Sequence, residues 1–323
     1  KAEKQALLMA RHLKDKEGKL PRSLNSNGEL VTSSSDWWCS GFFPGVLWYL
    51  YENNKGSEEL FDYANLYTKR IEKEQFNTST HDLGFMLYCS YGNGFRLNPT
   101  SESEGVLING AHALSARYNP VVKCIRSWNK WRDYSYPVII DNMMNLEMLM
   151  WAYKRTGDDT FKNIAISHAN TTKLHHFRED YSSFHVVAYD LKSGKVLQRG
   201  TDQGYGDDSS WARGQAWALY GYTMMYRETG NEDYLNLAWH IADFILNHPH
   251  LPKDKIPYWD FDSPGIPDDY RDSSSAAIIA SALLELSKYS EGHRCERYYT
   301  VAEQQLRMLA SDEYMAEVGT NGF

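Results

Sequence analysis

Two aspartates stand where a carboxyl group could do acid–base chemistry. Asp141 follows the apolar residues 137–140 and heads a methionine-rich segment, and Asp82 follows His81 directly before the apolar segment that starts at Leu83. Apolar surroundings raise the pKa of a carboxyl group, so Asp141 could act as a general acid near neutral pH and then as a base. Asp82 could be catalytic or could bind hydroxyl groups. Each aspartate could instead cap a helix, because Asp accepts hydrogen bonds from the unpaired amides of a first helical turn.

A glycine-rich run over residues 202–217 indicates a ligand-binding segment. Glycines let the backbone approach a ligand, and the run also supplies an amide in Gln203, a bidentate cation in Arg213 and a flat ring in Trp217. These groups suit a uronic acid. The alternative is a glycine-rich helix start with one surface arginine.

Other catalytic patterns are absent from the sequence. His175 and His176 are adjacent and cannot both ligate a metal from one helix face, and His168 has no carboxylate at metal-ligand spacing, so we expect no metal. Neither a GxSxG turn nor a Cys–His arrangement occurs. Paired carboxylates are therefore the expected chemistry.

The composition favours a small sugar ligand. The 323 residues carry a formal net charge of −8 and include 10 Trp and 23 Tyr. A nucleic-acid surface would concentrate Lys and Arg, whereas aromatic rings pack against sugars, so a short oligosaccharide is the expected partner. No apolar stretch approaches the ~20 residues of a membrane span, so no membrane partner is expected. The chain starts at Lys1 and not at Met, which favours a periplasmic protein with its leader removed over a cytoplasmic one. The sequence leaves the oligomeric state, monomer or dimer, open.

The spacing of apolar residues predicts an all-α fold. Around Gly56, Gly157 and Gly230, a helix-ending glycine in the left-handed conformation precedes acidic residues that open the next helix, and a weaker copy surrounds Gly292. Strand signal is confined to a hairpin over residues 184–194. Stacked helical hairpins form a solenoid or a closed ring, and we expect the ring, an (α/α)6 barrel that makes one domain of residues 1–323. The irregular residues 247–272 are expected to be a functional loop or lid.

Taken in order, these motifs resemble the unsaturated glucuronyl hydrolases, glycoside hydrolase family 88, over nearly the entire chain. The segments that carry the resemblance are DWWCSGFFPG (36–45), HDLGF (81–85), RSW (126–128), IDN (140–142), FHVV (184–187), QGY through WARGQAW (203–217), WDF (259–261) and DSSSAA (272–277). The family continues beyond the position of Phe323, so the chain is expected to lack the C-terminal loop and last helix of the barrel.

The resemblance implies a metal-free and cofactor-free reaction. A 4,5-unsaturated uronic acid at the non-reducing end of a lyase-generated glycosaminoglycan fragment is released by hydration of its vinyl ether. Asp141 would protonate C4 and direct water to C5, and Asp82 would bind ring hydroxyls and steady developing positive charge. His185 and Gln203 would line the water and carboxylate side. The residues assigned to substrate binding are Trp38, His81, Trp128, His185, Gln203, Arg213 and Trp217.

Three alternatives remain open at this point. Unsaturated rhamnogalacturonyl hydrolases, which act on pectin fragments, tend to have Asn-Gly after Arg-Gly, so Gln215 and Ala216 favour the glucuronyl family. A non-catalytic glycan-binding toroid would use the aromatic residues while the aspartates merely cap helices. An inverting glycosidase would flank a water with two carboxylates ~6.5–9.5 Å apart and would cleave saturated substrates.

Overall fold

Helices dominate the computed structural model, which describes residues 1–320. The α-helices are α1 (Ala2–Leu13), α2 (Phe42–Asn53), α3 (Glu58–Lys69), α4 (Asn93–Leu97), α5 (Ser101–Ser115), α6 (Leu146–Thr156), α7 (Asp159–His175), α8 (Ala212–Thr229), α9 (Glu232–Asn247), α10 (Ser273–Ser287) and α11 (Gly292–Leu309). A π-helix spans Gly84–Gly92, and 3-10 helices span Glu72–Phe76 and Ile140–Met144. Within residues 1–320, no helix combines the length and apolar character that crossing a membrane requires.

Short antiparallel strands accompany the helices. The strand pairs are β1 (Leu20–Leu24) with β2 (Leu30–Ser33) and β3 (Tyr118–Asn119) with β4 (Cys124–Ile125), while β5 (Pro137–Ile139), β6 (Val186–Tyr189) and β7 (Val196–Gly200) form one sheet in that order. The β6–β7 pair is the predicted hairpin, and Gly194 takes a φ of +68° in its turn. Confining strands to that hairpin was wrong. The other strands have only two to five residues, too few alternating positions to show a period of two.

The glycine-linked helical hairpins occur where predicted, with two differences. Gly157 (φ +74°) and Gly230 (φ +67°) follow α6 and α8 in the left-handed conformation. The left-handed ending predicted at Gly56 was wrong, because α2 already closes at Asn54 and Gly56 does not have a positive φ. Gly292 (φ +55°) begins α11 instead of ending the helix before it.

The chain divides into two compact units. The first unit comprises Lys1–Arg117, Trp151–Phe161 and the C-terminal residues from Met315, and the second comprises Tyr118–Met150 and Lys162–Tyr314. In the first unit, α2 packs against α3, and both α2 and α5 pack against the π-helix. In the second unit, α8 packs against α9 and α10, and α10 packs against α11. A single catalytic domain over residues 1–323 stays a prediction.

The residues between α9 and α10 lack regular secondary structure, as the sequence predicted. An isolated bridge between Trp211 and Asp260 pairs them with the rest of the second unit, and a second bridge, between Tyr258 and Arg271, lies within the loop itself. This long loop is thus tied to the segment that precedes α8. Its role as a lid stays a prediction.

Candidate active site

In the first unit, Asp82 lies immediately before the π-helix. Its side chain is 14% exposed and its Oδ1 lies 3.2 Å from Nε2 of the buried His81. Its Oδ2 accepts a hydrogen bond from the hydroxyl of Thr80 at 2.9 Å. Among residues 1–320, no amide of the helix that follows donates to either carboxylate oxygen. Asp82 therefore does not cap that helix, which was the alternative to a role in the site. π-helical segments are frequent at functional sites, and this one follows two residues after a partly buried carboxylate.

The segment with the sequence DWWCSGFFPG packs closely on the π-helix. A side chain at Gly41 would collide with carbonyl oxygens of the π-helix, and one at Gly45 would place its Cβ 2.7 Å from the carbonyl oxygen of Cys89. Trp38, which is half-buried, packs edge-on against Phe85 with ring centroids 5.7 Å apart. The two glycines therefore let α2 approach the π-helix closely enough to bring Trp38 onto it.

In the second unit, strand register brings Asp141 to His185. Ile139 pairs with Val186 across β5 and β6, and the amide of Ile140 donates to the carbonyl oxygen of His185 at 3.0 Å. The next residue, Asp141, enters the 3-10 helix with its Oδ1 3.5 Å from Nε2 of His185. The two side chains are 12% and 1% exposed, respectively. This burial disfavours the charged form of a carboxyl group, as the predicted acid requires.

Helix α8 supports the 3-10 helix that carries Asp141. A side chain at Gly221 would collide with that of Met143, and the Cβ of an alanine at position 214 would lie 3.3 Å from Cγ2 of Ile140. Gly204, in the glycine-rich run, faces the hydroxyl of Thr201 in the same way. Protein packing therefore accounts for Gly204 and Gly214, for which the sequence had predicted close approach to a ligand.

The hydrogen bonds of His185 define its tautomer. Its Nδ1 accepts hydrogen bonds from the backbone amides of Asp202 at 3.1 Å and Gln203 at 3.3 Å. A ring nitrogen that accepts cannot carry a proton, so the proton of the neutral imidazole is assigned to Nε2. Nε2 lies 3.5 Å from Oδ1 of Asp141. Gln203 reaches His185 through its backbone, and its side chain is exposed.

Two tryptophan rings enclose His185. Trp128, half-buried, meets the imidazole edge-on at 5.8 Å between centroids, and the buried Trp211 lies 4.7 Å away at an angle of 49°. Trp211 is not among the predicted site residues. Its signal in the sequence was its place two residues before Arg213, whose guanidinium carbon lies 5.0 Å from the centre of the Trp211 ring.

Arg213 lies in the first turn of α8. Its Nη1 donates to Oδ2 of Asp272 at 3.0 Å and to the hydroxyl of Ser274 at 2.9 Å. In the described part of the chain, Nε and Nη2 make no hydrogen bond, which leaves one edge of the guanidinium available to an anion. One turn further along α8, Trp217 is 3% exposed. The guanidinium of Arg213 therefore reaches the protein surface, whereas the ring of Trp217 is buried in the interior.

The predicted site residues divide between the two units. Those in the first unit are Trp38, His81 and Asp82, and those in the second are Trp128, Asp141, His185, Gln203, Arg213 and Trp217. Over residues 1–320, no group of three or more His, Cys, Asp or Glu side chains is arranged to hold a metal ion.

The chain is similar to unsaturated glucuronyl hydrolases. The one from Formosa agariphila is 47% identical over 306 residues, which are 94% of this chain and 75% of that protein. A crystal structure described as an unsaturated glucuronyl hydrolase specific for heparin matches with a TM-score of 0.93 and 47% identity, over 98% of this chain and 85% of its own. A mutant of the Streptococcus agalactiae enzyme, complexed with dGlcA-GalNAc6S, matches with a TM-score of 0.81 and 28% identity, over 99% of this chain and 81% of its own. No family model matches the chain.

The fold is helical, and its second unit holds a buried carboxyl–imidazole pair with two tryptophan rings packed on the imidazole. Such a site is of the kind expected in a glycoside hydrolase. Its (α/α)6 fold is that of the structures it matches, which confirms the predicted fold class. The chain belongs to the unsaturated glucuronyl hydrolases, glycoside hydrolase family 88. The predicted family and the prediction of an enzyme are thereby confirmed. The roles of the individual site residues stay predictions.

Proposed function

We propose that this enzyme releases the 4,5-unsaturated uronic acid from the non-reducing end of lyase-generated glycosaminoglycan oligosaccharides by hydrating the vinyl ether of that sugar. The observation that carries the proposal is the Asp141 carboxyl group, 12% exposed and 3.5 Å from the imidazole of His185. The matched enzyme described as specific for heparin and the matched complex with dGlcA-GalNAc6S support this class of substrate.

Asp141 acts first as an acid. Since Oδ1 is the oxygen that lies 3.5 Å from Nε2 of His185, the acid proton is assigned to Oδ2, and this oxygen transfers it to C4 of the unsaturated ring. The electron pair of the C4–C5 double bond forms the new C–H bond, and positive charge develops at C5, shared with the ring oxygen. Because burial disfavours the charged form of a carboxyl group, it favours the protonated acid that this transfer requires.

Asp141 then acts as a base. The carboxylate left by proton transfer takes a proton from a water molecule, and the oxygen of that water bonds to C5. The product is a hemiketal, which opens by breaking the bond between C5 and the ring oxygen. The resulting hemiacetal at C1 expels the remaining sugar with its glycosidic oxygen. Proton donation and acceptance by one carboxyl group account for the chemistry without a second catalytic acid.

The other site residues bind the unsaturated sugar. The family resemblance assigns Asp82 to binding ring hydroxyls and to stabilising the positive charge of the transition state, and this role stays a prediction. The open edge of Arg213 attracts the anionic substrate, and Gln203 lies on the water and carboxylate side with His185. The half-buried ring of Trp128 offers a flat face to the sugar. Trp38 and the buried Trp217 stay predicted members of the subsite. The enzyme's partner is thus a small unsaturated oligosaccharide.

The experiment compares unsaturated disaccharides from chondroitin, hyaluronan and heparin with their saturated counterparts. The conjugated uronate absorbs in the ultraviolet, and hydration abolishes this absorbance. We expect loss of absorbance together with sugar release for at least one unsaturated disaccharide and no cleavage of any saturated one. Cleavage of saturated disaccharides would indicate an ordinary glycosidase. Binding without turnover of any unsaturated disaccharide, pectin-derived ones included, would indicate a glycan-binding protein.

A further inference from the structure

We propose that Asp260, a residue outside the predicted site, is a positioning residue that holds His185 in its Nε2–H tautomer by fixing the loop of residues 201–209. The inference rests on the proposed function, in which the N–H of His185 orients the carboxyl group of Asp141. Asp260 is fully buried in the second unit. It belongs to the long loop between α9 and α10.

The carboxylate of Asp260 is committed to backbone and hydroxyl groups. Its Oδ2 accepts hydrogen bonds from the amide of Tyr205 at 2.9 Å and from the hydroxyl of Ser209 at 2.7 Å, and its Oδ1 accepts from the amide of Asp262 at 2.9 Å. The hydroxyl of Ser209 in turn accepts from the amide of Gly206 at 3.0 Å. One buried carboxylate therefore fixes the middle and the end of the loop at once.

The start of the same loop holds His185. The hydroxyl of Thr201 accepts from the amide of Gly204 at 2.7 Å, which closes a tight turn around residues 202 and 203. The amides of those two residues are the donors to Nδ1 of His185. A Cβ at position 204 would lie 2.7 Å from the hydroxyl of Thr201 and 3.0 Å from Oδ2 of Asp260, so glycine lets the turn and the carboxylate meet. The donors to His185 are thus two and three residues from the amide that Asp260 binds.

The backbone around Asp260 also holds a ring that packs on His185. The amide of Phe261 donates to the carbonyl oxygen of Ser210, and the amide of Ala212 donates to that of Trp259, both at 3.0 Å. These two bonds flank Trp211, whose ring lies 4.7 Å from the imidazole. The loop between α9 and α10 therefore supports both the polar and the aromatic contacts of His185.

The substitution Asp260→Asn separates the chemistry of this carboxylate from its size. Both of its oxygens accept from backbone amides, those of Tyr205 and Asp262. An asparagine has one oxygen, so in either orientation its NH2 group faces one of these amides, and a buried hydrogen bond is lost. We expect the loop to loosen, the two amides to leave Nδ1, and the second tautomer, with its proton on Nδ1, to become populated. That tautomer presents a lone pair instead of a donor to Asp141.

The experiment combines kinetics with nitrogen NMR of the full chain labelled with 15N-histidine. In the wild type, the two ring nitrogens of His185 are expected to show a protonated Nε2 and an unprotonated Nδ1. In the Asp260→Asn enzyme, the expected result is a mixture of tautomers and a kcat lowered by about 10- to 100-fold, with KM changed by much less. This is the range of effect seen when a residue that orients a metal-binding histidine through hydrogen bonds is replaced. The matched control is Asp190→Asn. The carboxylate of Asp190 lies in the turn of the β6–β7 hairpin, where it accepts from the amides of Lys192 and Ser193.

The control variant is expected to keep the tautomer and the kcat of the wild type. An Asp260→Asn enzyme with unchanged kcat, or with lowered kcat but an unchanged His185 tautomer, would overturn the proposal. If this variant does not fold, Ser209→Ala removes one bond of the carboxylate and is expected to shift tautomer and kcat in the same direction by a smaller factor; no shift in either would equally overturn it. The NMR measurement needs no substrate, so it tests the tautomer independently of turnover. If no unsaturated disaccharide is turned over by the wild type, that result refutes only the proposed function.

Discussion

Replacing Asp141 with asparagine removes the transferable proton and little else. The amide has nearly the size of the carboxyl group, which matters at a side chain that is 12% exposed. The N–H of His185 requires an acceptor, so the amide oxygen takes the place of Oδ1 and the NH2 group takes that of Oδ2. We therefore expect the variant to fold as the wild type does, with a free energy of unfolding changed by no more than about 1 kcal/mol.

The expected loss is in kcat. General acid–base catalysis by one positioned side chain contributes about 100- to 10,000-fold, and each factor of ten corresponds to about 1.4 kcal/mol of barrier, so the barrier should rise by about 3–5 kcal/mol. Because the arginine, the tryptophans and Asp82 are unchanged, the affinity for the unsaturated disaccharide should stay within a few-fold of the wild type.

The assay follows loss of the ultraviolet absorbance of the unsaturated disaccharide, with binding measured separately by calorimetry. The matched control is Asp133→Asn, since the carboxylate of Asp133 is fully exposed and close in sequence. A folded Asp141→Asn enzyme with kcat within threefold of the wild type would refute the assigned role. Loss of binding in place of turnover would make Asp141 a binding residue.

Three further substitutions test the supporting structure. Gln215→Asn shortens a buried side chain that accepts from the amide of Ser183 at 2.9 Å and donates to its carbonyl at 3.2 Å, so we expect a loss of about 1–3 kcal/mol in the free energy of unfolding measured with urea. Ser183 lies two residues before His185, so kcat should fall as well; a wild-type kcat would show that this backbone contact does not position His185. Gly41→Ala presses a methyl group against the π-helix and should cost about 1–3 kcal/mol in the same experiment, whereas an unchanged unfolding midpoint would contradict the close packing. Burial lowers the pKa of His176 from 6.5 to about 3, so between these pH values the unfolded chain binds a proton on this imidazole and the folded chain does not. The buried neutral His176 therefore contributes fully to the free energy of unfolding above pH 6.5, and this contribution is lost as the pH falls towards 3. His176→Gln should flatten this decline between pH 7 and pH 5, and an equally steep decline would disprove the assignment.

Local sequence patterns were sufficient to locate the helices, and they marked Asp82 and Asp141 as candidate site carboxylates. The glycine-plus-acid signal marked Gly157 and Gly230 because each ends a helix through its own backbone conformation. The same signal was wrong about the backbone of Gly56, since the point where a helix closes also depends on the residues before it. Patterns of this kind describe neighbours along the chain.

Contacts between distant segments could not be predicted from these patterns. The register that brings His185 to Asp141 depends on strands β5 and β6, and β5 has only three residues. Asp260 binds the amide of a residue 55 positions away, and its motif WDF contributed to the family resemblance without indicating any contact. A buried carboxylate that accepts from backbone amides leaves no periodic trace in a sequence, so these hydrogen bonds became visible only in the fold.

Proton transfer from Asp141 to C4 is tested most directly by running the wild-type reaction in deuterated water and analysing the first product formed by mass spectrometry and NMR. The predicted product is a uronic acid that has lost its conjugated double bond and carries one solvent deuterium at C4. A released uronic acid that keeps the double bond and contains no deuterium at C4 would contradict hydration and would show that the glycosidic bond is cleaved directly.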